Sequence, residues 1–333
     1  METLLLDPDD VTESTNMAEV IDAVGGAFAA YARGDVQMPA KSYIDLPQYG
    51  GDFRSMPAYI DATTGPGENW EAAGIKWVNS HTHNPDRHGL PTVMGTVIYS
   101  DPDTALPLSI LDGTTLTRLR TGAAAAVATD HLAREDATTL GLVGAGVQAH
   151  TQLEAIAEVR PIETVVVADK SEPAIEEFLA RYGEDFDVRE GSIEEATACD
   201  VVSTTTPVTD PVVNTVAPGT HVNAMGADAE GKHEIADEVL MAATIVIDDY
   251  AQCTHSGEIN VPWQAGLLSD EDLHAELGDV VEGTATGRSG PDEITLFDST
   301  GLAIQDVAAA HVVYEHARER GVGTDFALVG TDT

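Results

Sequence analysis

Lysine is scarce in this chain of 333 residues, which contains 57 acidic residues against 16 lysines and arginines and has a formal net charge of −41. A surface this acidic repels nucleic acid and anionic membranes, so neither is expected as a partner. The acids are dispersed among well-patterned apolar segments, which indicates a folded protein rather than a disordered one. The composition predicts a halophilic protein that is stable where salt shortens the Debye length to ~3 Å near 1 M. The only lysines are Lys41, Lys76, Lys170 and Lys232.

Cysteine and long apolar runs are also rare. Cys199 and Cys253 have neither the spacing of a metal site nor the number expected of a disulfide framework. His81, His83 and His88 lie in a loop that contains proline and aspartate, so no metal site is predicted there. No segment reaches the ~20 apolar residues of a membrane span, and the N-terminus lacks the basic region of a signal peptide. These absences predict a cytoplasmic protein.

The segment Leu140–Ala149, LGLVGAGVQA, carries the most information. An apolar run ends in the glycines Gly144 and Gly146, a helical pattern follows, and a second apolar run ends in Asp169. In a βαβ unit the first glycine permits a tight turn, and the second lets the backbone approach a pyrophosphate at a helix N-terminus. An acid ~20 residues farther on can bind the ribose hydroxyls and disfavours a 2′-phosphate. The segment therefore predicts a dinucleotide site.

The rest of the pattern predicts two domains. Before residue 110 a helix is expected over Asp10–Ala32, followed by short strands in residues 36–64, a loop at 65–69, and strands at 74–79 and 92–99, typical of an α+β unit with a mainly antiparallel sheet. A helix over Thr115–Leu132 leads into alternating strands and helices, which predict a doubly wound parallel sheet. A last helix, Ala303–Arg320, is expected to return to the first domain. The predicted domains are 1–119 with 300–333, and 120–299.

Ligands of open α/β sheets bind beyond the carboxyl ends of the strands. Two segments there are candidates, Ser203–Pro207 with Thr205, and Asn223–Asp228 with Gly226 and Ala227. Gly226 would allow close backbone approach and leave Asp228 beside the nicotinamide; alternatively, Asp228 only forms a turn or caps a helix. Lys232 and Glu234 are expected at the surface, at the start of the next helix, although Lys232 could reach a phosphate.

The first domain contributes the basic residues Arg54, Lys76 and Arg120. Lys76 lies within an apolar strand, where burial would lower the pKa of its amine. An arginine offers a bidentate fork for a substrate carboxylate. The alternative is that Lys76 points to solvent and Arg54 forms a surface ion pair.

Together these segments resemble the ornithine cyclodeaminase and mu-crystallin family over nearly the whole chain, and within it the archaeal-type alanine dehydrogenases. The matching segments are Gly74–His81, Gly89–Met94, Leu119–Ala124, Gly146–Ala149, Asn223–Asp228, Gly257–Val261 and Phe297–Asp306. The implied fold is a Rossmann-type doubly wound α/β domain that binds NAD, plus an α+β substrate and dimerisation domain built from both chain ends. The implied partners are an amino acid or 2-oxo acid and a second copy of the chain.

The resemblance also implies roles for individual residues. Lys76 corresponds to the catalytic lysine, Asp228 to the catalytic acid, and Arg54 to the arginine that holds the substrate carboxylate. Arg120 corresponds to an arginine at the cofactor or the substrate carboxylate. The further residues implied at the cofactor are Thr121, Gly144, Gly146, Val147 and Gln148, the ribose-site residues Asp169, Lys170 and Ser171, and Thr205, Gly226, Ala227, Lys232 and Ser299.

The implied reaction is the reversible oxidative deamination of L-alanine to pyruvate and ammonia with NAD. Three alternatives stay open: ornithine cyclodeamination, reduction of small cyclic ketimines, and a non-catalytic binding protein. The stretch between Arg54 and Lys76 is longer than in the dehydrogenases, and it contains three acids that could hold the distal amine of ornithine, Asp61, Glu68 and Glu71.

Overall fold

The computed structural model describes residues 2–65 and 70–330. The chain divides into two compact units, one of residues 1–120 and 302–333 and the other of residues 121–301. Most of the predicted loop at 65–69 lies outside the described residues, as does Glu68. Across the described ranges, no helix is long and apolar enough to span a membrane.

The helices and strands follow one another along the chain as listed here. The first part contains β1 (Thr3–Leu6), α1 (Pro8–Glu13), α2 (Met17–Arg33), β2 (Val36–Gln37), β3 (Ser42–Leu46), β4 (Gly51–Asp61), β5 (Glu71–His81), α3 (Asn84–His88), β6 (Val93–Ser100), β7 (Pro107–Asp112) and α4 (Gly113–Leu132). Next come β8 (Thr139–Val143), α5 (Val147–Val159), β9 (Thr164–Ala168), α6 (Glu172–Tyr182), β10 (Asp187–Glu190), α7 (Ile193–Ala196), β11 (Val201–Thr204) and β12 (His221–Ala224). The last part contains α8 (Asp237–Ala242), β13 (Thr244–Ile247), α9 (Tyr250–Ser256), α10 (Asn260–Gln264), β14 (Leu273–Glu276), α11 (Leu277–Glu282), β15 (Thr295–Asp298), α12 (Ala303–Arg320) and β16 (Thr324–Phe326).

The predicted single helix over Asp10–Ala32 is wrong, because the chain breaks between α1 and α2. Polar residues at the break bond locally instead of continuing the helix. The Thr15 hydroxyl donates to the Val11 carbonyl at 2.7 Å, and the Asn16 side chain donates to Glu19 from the N-cap position of α2. The prediction for residues 115–132 is confirmed within α4, and that for 303–320 is confirmed as α12.

The first unit contains a mainly antiparallel sheet, as the pattern of its sequence predicts. The strands lie in the order β16-β1-β7-β6-β5-β4-β2, with β3 also paired to β4 and with β1 parallel to β7. The short strands expected over residues 36–64 are only partly right, because β4 is continuous over 11 residues. It accommodates Pro57 because β3 pairs with residues 51–55 and β2 with residues 59–60, leaving the proline between these ladders.

One face of this sheet is covered by helices. α12 contacts β4, β5 and β6, and α2 packs against both α12 and β4. Close packing depends on small residues, since a Cβ atom at Gly74 in β5 would lie 3.0 Å from Val307 of α12. Residues 303–310 of α12 are all buried, which brings the polar Gln305 and Asp306 into the interior with their alanine neighbours.

The second unit is a Rossmann-type fold with a wholly parallel sheet in the order β10-β9-β8-β11-β12-β15-β13-β14. From β8 the chain proceeds to β9 and β10 on one side, and later to β11 and β12 on the other. The strand order therefore switches between β8 and β11, the place where ligands bind in such sheets. Apolar clusters cover both faces, as expected of a doubly wound sheet.

We predict that Gly141→Ala destabilises the second unit. A Cβ atom at residue 141 would lie 1.9 Å from the backbone oxygen of Ala196, which cannot move without displacing α7. Overpacking of this kind costs about 1–3 kcal/mol. Gly26→Ala is the matched control, because its Cβ would meet nothing within 4 Å and alanine favours helix α2 by up to about 1 kcal/mol. Denaturant midpoints measured in molar KCl should fall for the first variant and not for the second; equal midpoints would contradict the packing described.

Candidate functional site

Lys76 is buried on the helix-covered face of the first unit. It pairs with Met56 across β4 and β5, and only 2% of its surface is exposed. Its Nζ lies 2.8 Å from Oδ1 and 2.8 Å from Oδ2 of Asp306 in α12, and 3.4 Å from the Thr117 hydroxyl. The alternative that Lys76 points to solvent is therefore wrong.

Asp306 lies between two cations. The carboxylate accepts from Lys76 and from Arg120, whose Nε is 3.1 Å from Asp306 Oδ1, while Arg120 Nη1 donates to Gln305 Oε1 at 2.9 Å. Buried charges require such pairing, because losing water is costly for each of them. Sequence reasoning missed Asp306 and Gln305. A signal was available, because two polar residues interrupt the apolar helical stretch from Leu302 to Ala310.

This arrangement tunes the amine of Lys76. Burial lowers its pKa from 10.5 to about 7, with a smaller contribution in the same direction from the charge of Arg120, whereas the Asp306 carboxylate opposes the shift. A lysine with a pKa near 7 can both donate and accept a proton at neutral pH, as general acid–base chemistry requires.

Arg54 lies on the same sheet face as Lys76. It pairs with Val78 across β4 and β5, two residues from the Met56–Lys76 pair, so the two cations are diagonal neighbours. Its guanidinium forms an ion pair with Asp52 at 3.0 Å, and its Cζ lies 5.7 Å from the centre of the Tyr43 ring. The structure thus brings Arg54, Lys76 and Arg120 into one unit, with the predicted surface pair of Arg54 also present.

The glycine turn of the second unit has the geometry that a dinucleotide requires. Gly144 has φ +104°, which only glycine adopts without strain, and a Cβ atom at Gly146 would meet nothing within 4 Å. Helix α5 begins at Val147, four residues earlier than predicted, and Gly146 provides no side-chain cap for its amides. These amides belong to Val147, Gln148 and the buried Ala149, so the helix N-terminus can take a phosphate.

Two polar groups beside this turn support the same ligand. The Thr205 hydroxyl and the Gln148 side-chain oxygen are buried, and neither has a hydrogen-bond partner in the part of the chain that the structure describes. Thr205 lies at the turn itself, since a Cβ on Gly144 would be 3.0 Å from its Oγ1. Unsatisfied buried polar groups are rare unless a ligand or water pairs with them.

Asp169 follows β9 at the predicted ribose position. Its Oδ2 accepts from the Ala145 amide at 2.7 Å, and its Oδ1 accepts from the Ser171 amide at 2.8 Å. Asp169 thus ties the glycine turn to the next loop. Ser171 acts as the N-cap of α6 by accepting from the Ala174 amide, and Lys170 is exposed beside it.

Asp228 follows β12 and forms an ion pair with Lys232. Nearly half of the Asp228 side chain is exposed, whereas Ala227 is buried and Lys232 Nζ also lies 3.4 Å from the Gly226 carbonyl. Lys232 therefore holds the predicted acid rather than standing free at the surface.

Two further predicted cofactor residues have internal hydrogen bonds. The Ser299 hydroxyl donates to Asp248 at 3.2 Å, and the Thr121 carbonyl accepts from Gln152 at 3.3 Å. Ser299 directly follows β15, next to β12 in the sheet, so it lies at the same edge as Asp228.

The expectation that Glu234 is a surface residue at a helix start is wrong. Glu234 is completely buried, and the next helix, α8, begins only at Asp237. Its carboxylate accepts hydrogen bonds from two loops, and that satisfaction is what lets an acid occupy the interior. Glu258, Asp248 and Asp298 are likewise buried acids that sequence reasoning did not identify, because their partners are amides distant in the chain.

Among the described residues, no group of three or more histidines, cysteines or acids is arranged to hold a metal ion. His81 hydrogen-bonds Asn79 and contacts the Phe53 ring edge-on.

Comparison with known proteins bears on this arrangement. The family model described as the ornithine cyclodeaminase/mu-crystallin family matches residues 1–321. The alanine dehydrogenase of Archaeoglobus fulgidus is 46% identical over 328 residues, covering 97% of this chain and 98% of the relative. The solved structure of an archaeal alanine dehydrogenase dimer with bound NAD superposes with a TM-score of 0.92 at 45% identity, covering 99% of this chain and 100% of that one.

A second solved structure has a different activity. The Thermococcus litoralis Δ1-pyrroline-2-carboxylate reductase in complex with NADH and L-proline superposes with a TM-score of 0.89 at 35% identity, covering 97% of this chain and 99% of that one. Similarity along the full length therefore identifies the family, while the reaction differs among its members. The chain belongs to the ornithine cyclodeaminase/mu-crystallin family.

Proposed function

We propose that the protein is an NAD-dependent dehydrogenase that converts L-alanine and water to pyruvate and ammonia, reversibly. The observation that carries this proposal is the buried Lys76 amine, held by Asp306 on the same sheet face as Arg54. The full-length similarity to the Archaeoglobus enzyme supports the choice of alanine.

Each residue has a defined task in this proposal. Arg54 binds the substrate carboxylate through its guanidinium fork. Lys76 stabilises the oxygen of the carbinolamine that forms when water adds to the imine, and exchanges its proton. Asp228 removes the proton from the attacking water, and Arg120 holds Asp306 in place beside Lys76. The cofactor supplies the hydride acceptor.

NAD is the cofactor, as in the structurally similar enzymes whose complexes contain NAD or NADH. In this chain Gly144, Gly146 and the first amides of α5 would hold the pyrophosphate. Asp169 would bind the ribose hydroxyls and repel the 2′-phosphate of NADP, with Lys170 tempering that repulsion.

The proposed oligomer is a homodimer formed through the first unit. On the sheet face opposite α12, an apolar row crosses four strands, because Leu5, Ile110, Ile98 and Ile75 are register partners. Trp77 lies on this face with 43% of its surface exposed. An apolar face of this kind favours association, and the similar archaeal enzyme is a dimer. We also propose a cytoplasmic location and adaptation to high salt, from the charge of −41.

Ornithine cyclodeamination is disfavoured by the positions of the available acids. Asp61 and Glu71 are register partners at the far end of β4 and β5. Glu71 precedes Lys76 by five residues, which is about 17 Å along a strand. That distance exceeds the length of an ornithine whose carboxylate is held at Arg54. Glu71 also accepts a hydrogen bond from Tyr59 at 2.9 Å.

The reductase and the non-catalytic binder are separated from the dehydrogenase by the reaction itself. A ketimine reductase would use the same cations and cofactor on a cyclic imine, as the similar Thermococcus enzyme indicates. A binder has no use for a buried amine with a pKa of about 7.

The first experiment is NADH formation by the purified protein in molar KCl, with NAD and either L-alanine or L-ornithine. We expect NADH to accumulate with alanine alone and to be consumed when pyruvate and ammonium are added. Ammonia released from ornithine without net NADH would instead establish the cyclodeaminase. A folded protein that binds NADH but is inactive with both would leave the reductase, tested with Δ1-pyrroline-2-carboxylate, or the binder.

We predict that Lys76→Ala and Asp228→Asn each lower the turnover of alanine at least about a hundredfold, because each removes a proton-transfer group. Neither residue forms the glycine turn, so NADH should still quench the protein fluorescence in both variants. Asp210→Asn, which changes an exposed acid in the same unit as Asp228, is the control and should retain full turnover. Turnover within a factor of three of the parent in either test variant would contradict the roles assigned.

We predict that Asp306→Asn moves the pH dependence of kcat/KM. The Asp306 charge raises the pKa of Lys76, so its removal should shift the limb that reports Lys76 to lower pH. Asp103→Asn, an exposed acid in the same unit, should leave the limb unchanged. The measurement is kcat/KM for alanine from pH 5.5 to 10 at constant salt. A limb that stays in place, or that moves to higher pH, would exclude the assigned coupling.

A further inference from the structure

Two loops follow neighbouring strands at the cofactor edge of the second unit. Residues 204–206 end β11 and continue beyond it, and they include Thr205 beside the glycine turn. Residues 225–228 follow β12 and carry Gly226 and Asp228. Apart from the ladder of the strands, a single side chain joins the two loops.

That side chain is Glu234. Its Oε2 accepts from the Thr204 hydroxyl at 2.7 Å and from the Gly226 amide at 3.0 Å. Its Oε1 accepts from the Thr206 amide at 2.7 Å and from the Thr206 hydroxyl at 2.7 Å. Each carboxylate oxygen thus meets one backbone N–H, and these two amides belong to different loops.

The backbone of Glu234 is itself anchored. Its carbonyl accepts from the amides of Val212 and Val213 at 2.8 and 2.9 Å. Its amide donates to Glu258 Oε1 at 2.8 Å, and the Glu258 amide donates to Asp298 Oδ1 at 2.8 Å. Asp298 is the last residue of β15, so a series of buried acids connects the Glu234 backbone to the sheet.

We propose that Glu234 is a positioning residue that holds the loops 204–206 and 225–228 together and so preorganises the NAD site. The consequence for Asp228, two residues after the Gly226 amide, rests on the proposed function. Glu234 touches neither reacting group in this account and acts through the backbone of the loops.

The arrangement requires a carboxylate rather than an amide. A hydroxyl can rotate to donate or accept, but a backbone N–H can only donate. In Glu234→Gln the amide nitrogen would face either the Gly226 N–H or the Thr206 N–H, so one loop loses its acceptor in both side-chain orientations. Burial raises the pKa of Glu234, while the hydrogen bonds from Thr206, Thr204 and Gly226 act in the opposite direction and favour the charged form.

Glu234→Gln is therefore the test, and it is nearly isosteric. We expect the dissociation constant for NADH, measured by fluorescence titration in molar KCl, to rise at least about tenfold, the effect of losing one charge-assisted hydrogen bond. With alanine, kcat at saturating NAD should also fall, because the loop that carries Asp228 is no longer held.

Asp200→Asn is the matched control. Asp200 also accepts from two backbone amides, those of Thr138 and Thr139, and forms an ion pair with Arg134. It lies directly before β11, at the opposite edge of the sheet from the cofactor turn. We expect this variant to lower the thermal unfolding temperature but to bind NADH as the parent does, which separates positioning from general stability.

Gly226→Ala tests the same contact from the other side. A Cβ atom there would lie 2.2 Å from Glu234 Oε2 and 2.7 Å from the Thr206 carbonyl, so it should also weaken NADH binding. If both changes break one contact, the double variant should bind little worse than either single variant. Additive losses would contradict the shared contact.

A dissociation constant for Glu234→Gln within a factor of two of the parent, in a folded protein, would overturn the proposal. NADH binding is measured without substrate, so this outcome does not depend on the reaction. If Glu234→Gln loses NADH while the parent fails to oxidise alanine, the positioning role stands and the alanine assignment falls.

Discussion

The interaction on which the first unit depends is the burial of Asp306 between Lys76 and Arg120. A lone carboxylate inside a protein is costly, and so is a lone amine. Placing the acid in α12 and the lysine in β5 makes their pairing a tertiary contact, separated by 230 residues along the chain. Packing of α12 against the sheet and the chemistry of Lys76 are therefore one structural feature, because the helix brings the charge that keeps the amine near neutrality.

The second unit uses buried acids in another way. Glu234, Glu258, Asp248 and Asp298 accept mostly from backbone amides and hydroxyls rather than from cations. A carboxylate offers about four acceptor positions, so one side chain can satisfy several amides of loops that leave the sheet. The loops at the carboxyl ends of the strands are thereby held without regular secondary structure. Glycine at positions 226 and 257 leaves space for Glu234 and Asp298, because a Cβ atom would lie within 3 Å of either carboxylate.

Much of the fold could be predicted from local patterns. Strand β9 and helix α12 match their predicted bounds, and β5 includes the predicted strand at 74–79. The break between α1 and α2 was missed because the apolar spacing continues across it, whereas Ser14, Thr15 and Asn16 prefer local hydrogen bonds. The length of β4 was missed because Pro57 normally ends a strand, and only the gap between its edge partners makes it acceptable.

The sequence by itself determined the dinucleotide turn, the alternation of strands and helices, and the candidate residues Lys76, Arg54 and Asp228. Those features depend on neighbours in the chain, such as the freedom of Gly144 to adopt positive φ. Only the tertiary structure decided that Lys76 is buried against Asp306 and that Glu234 lies inside rather than at the surface. The physical reason is that the burial of a charge depends on partners that folding brings from distant parts of the chain, and local spacing does not encode them.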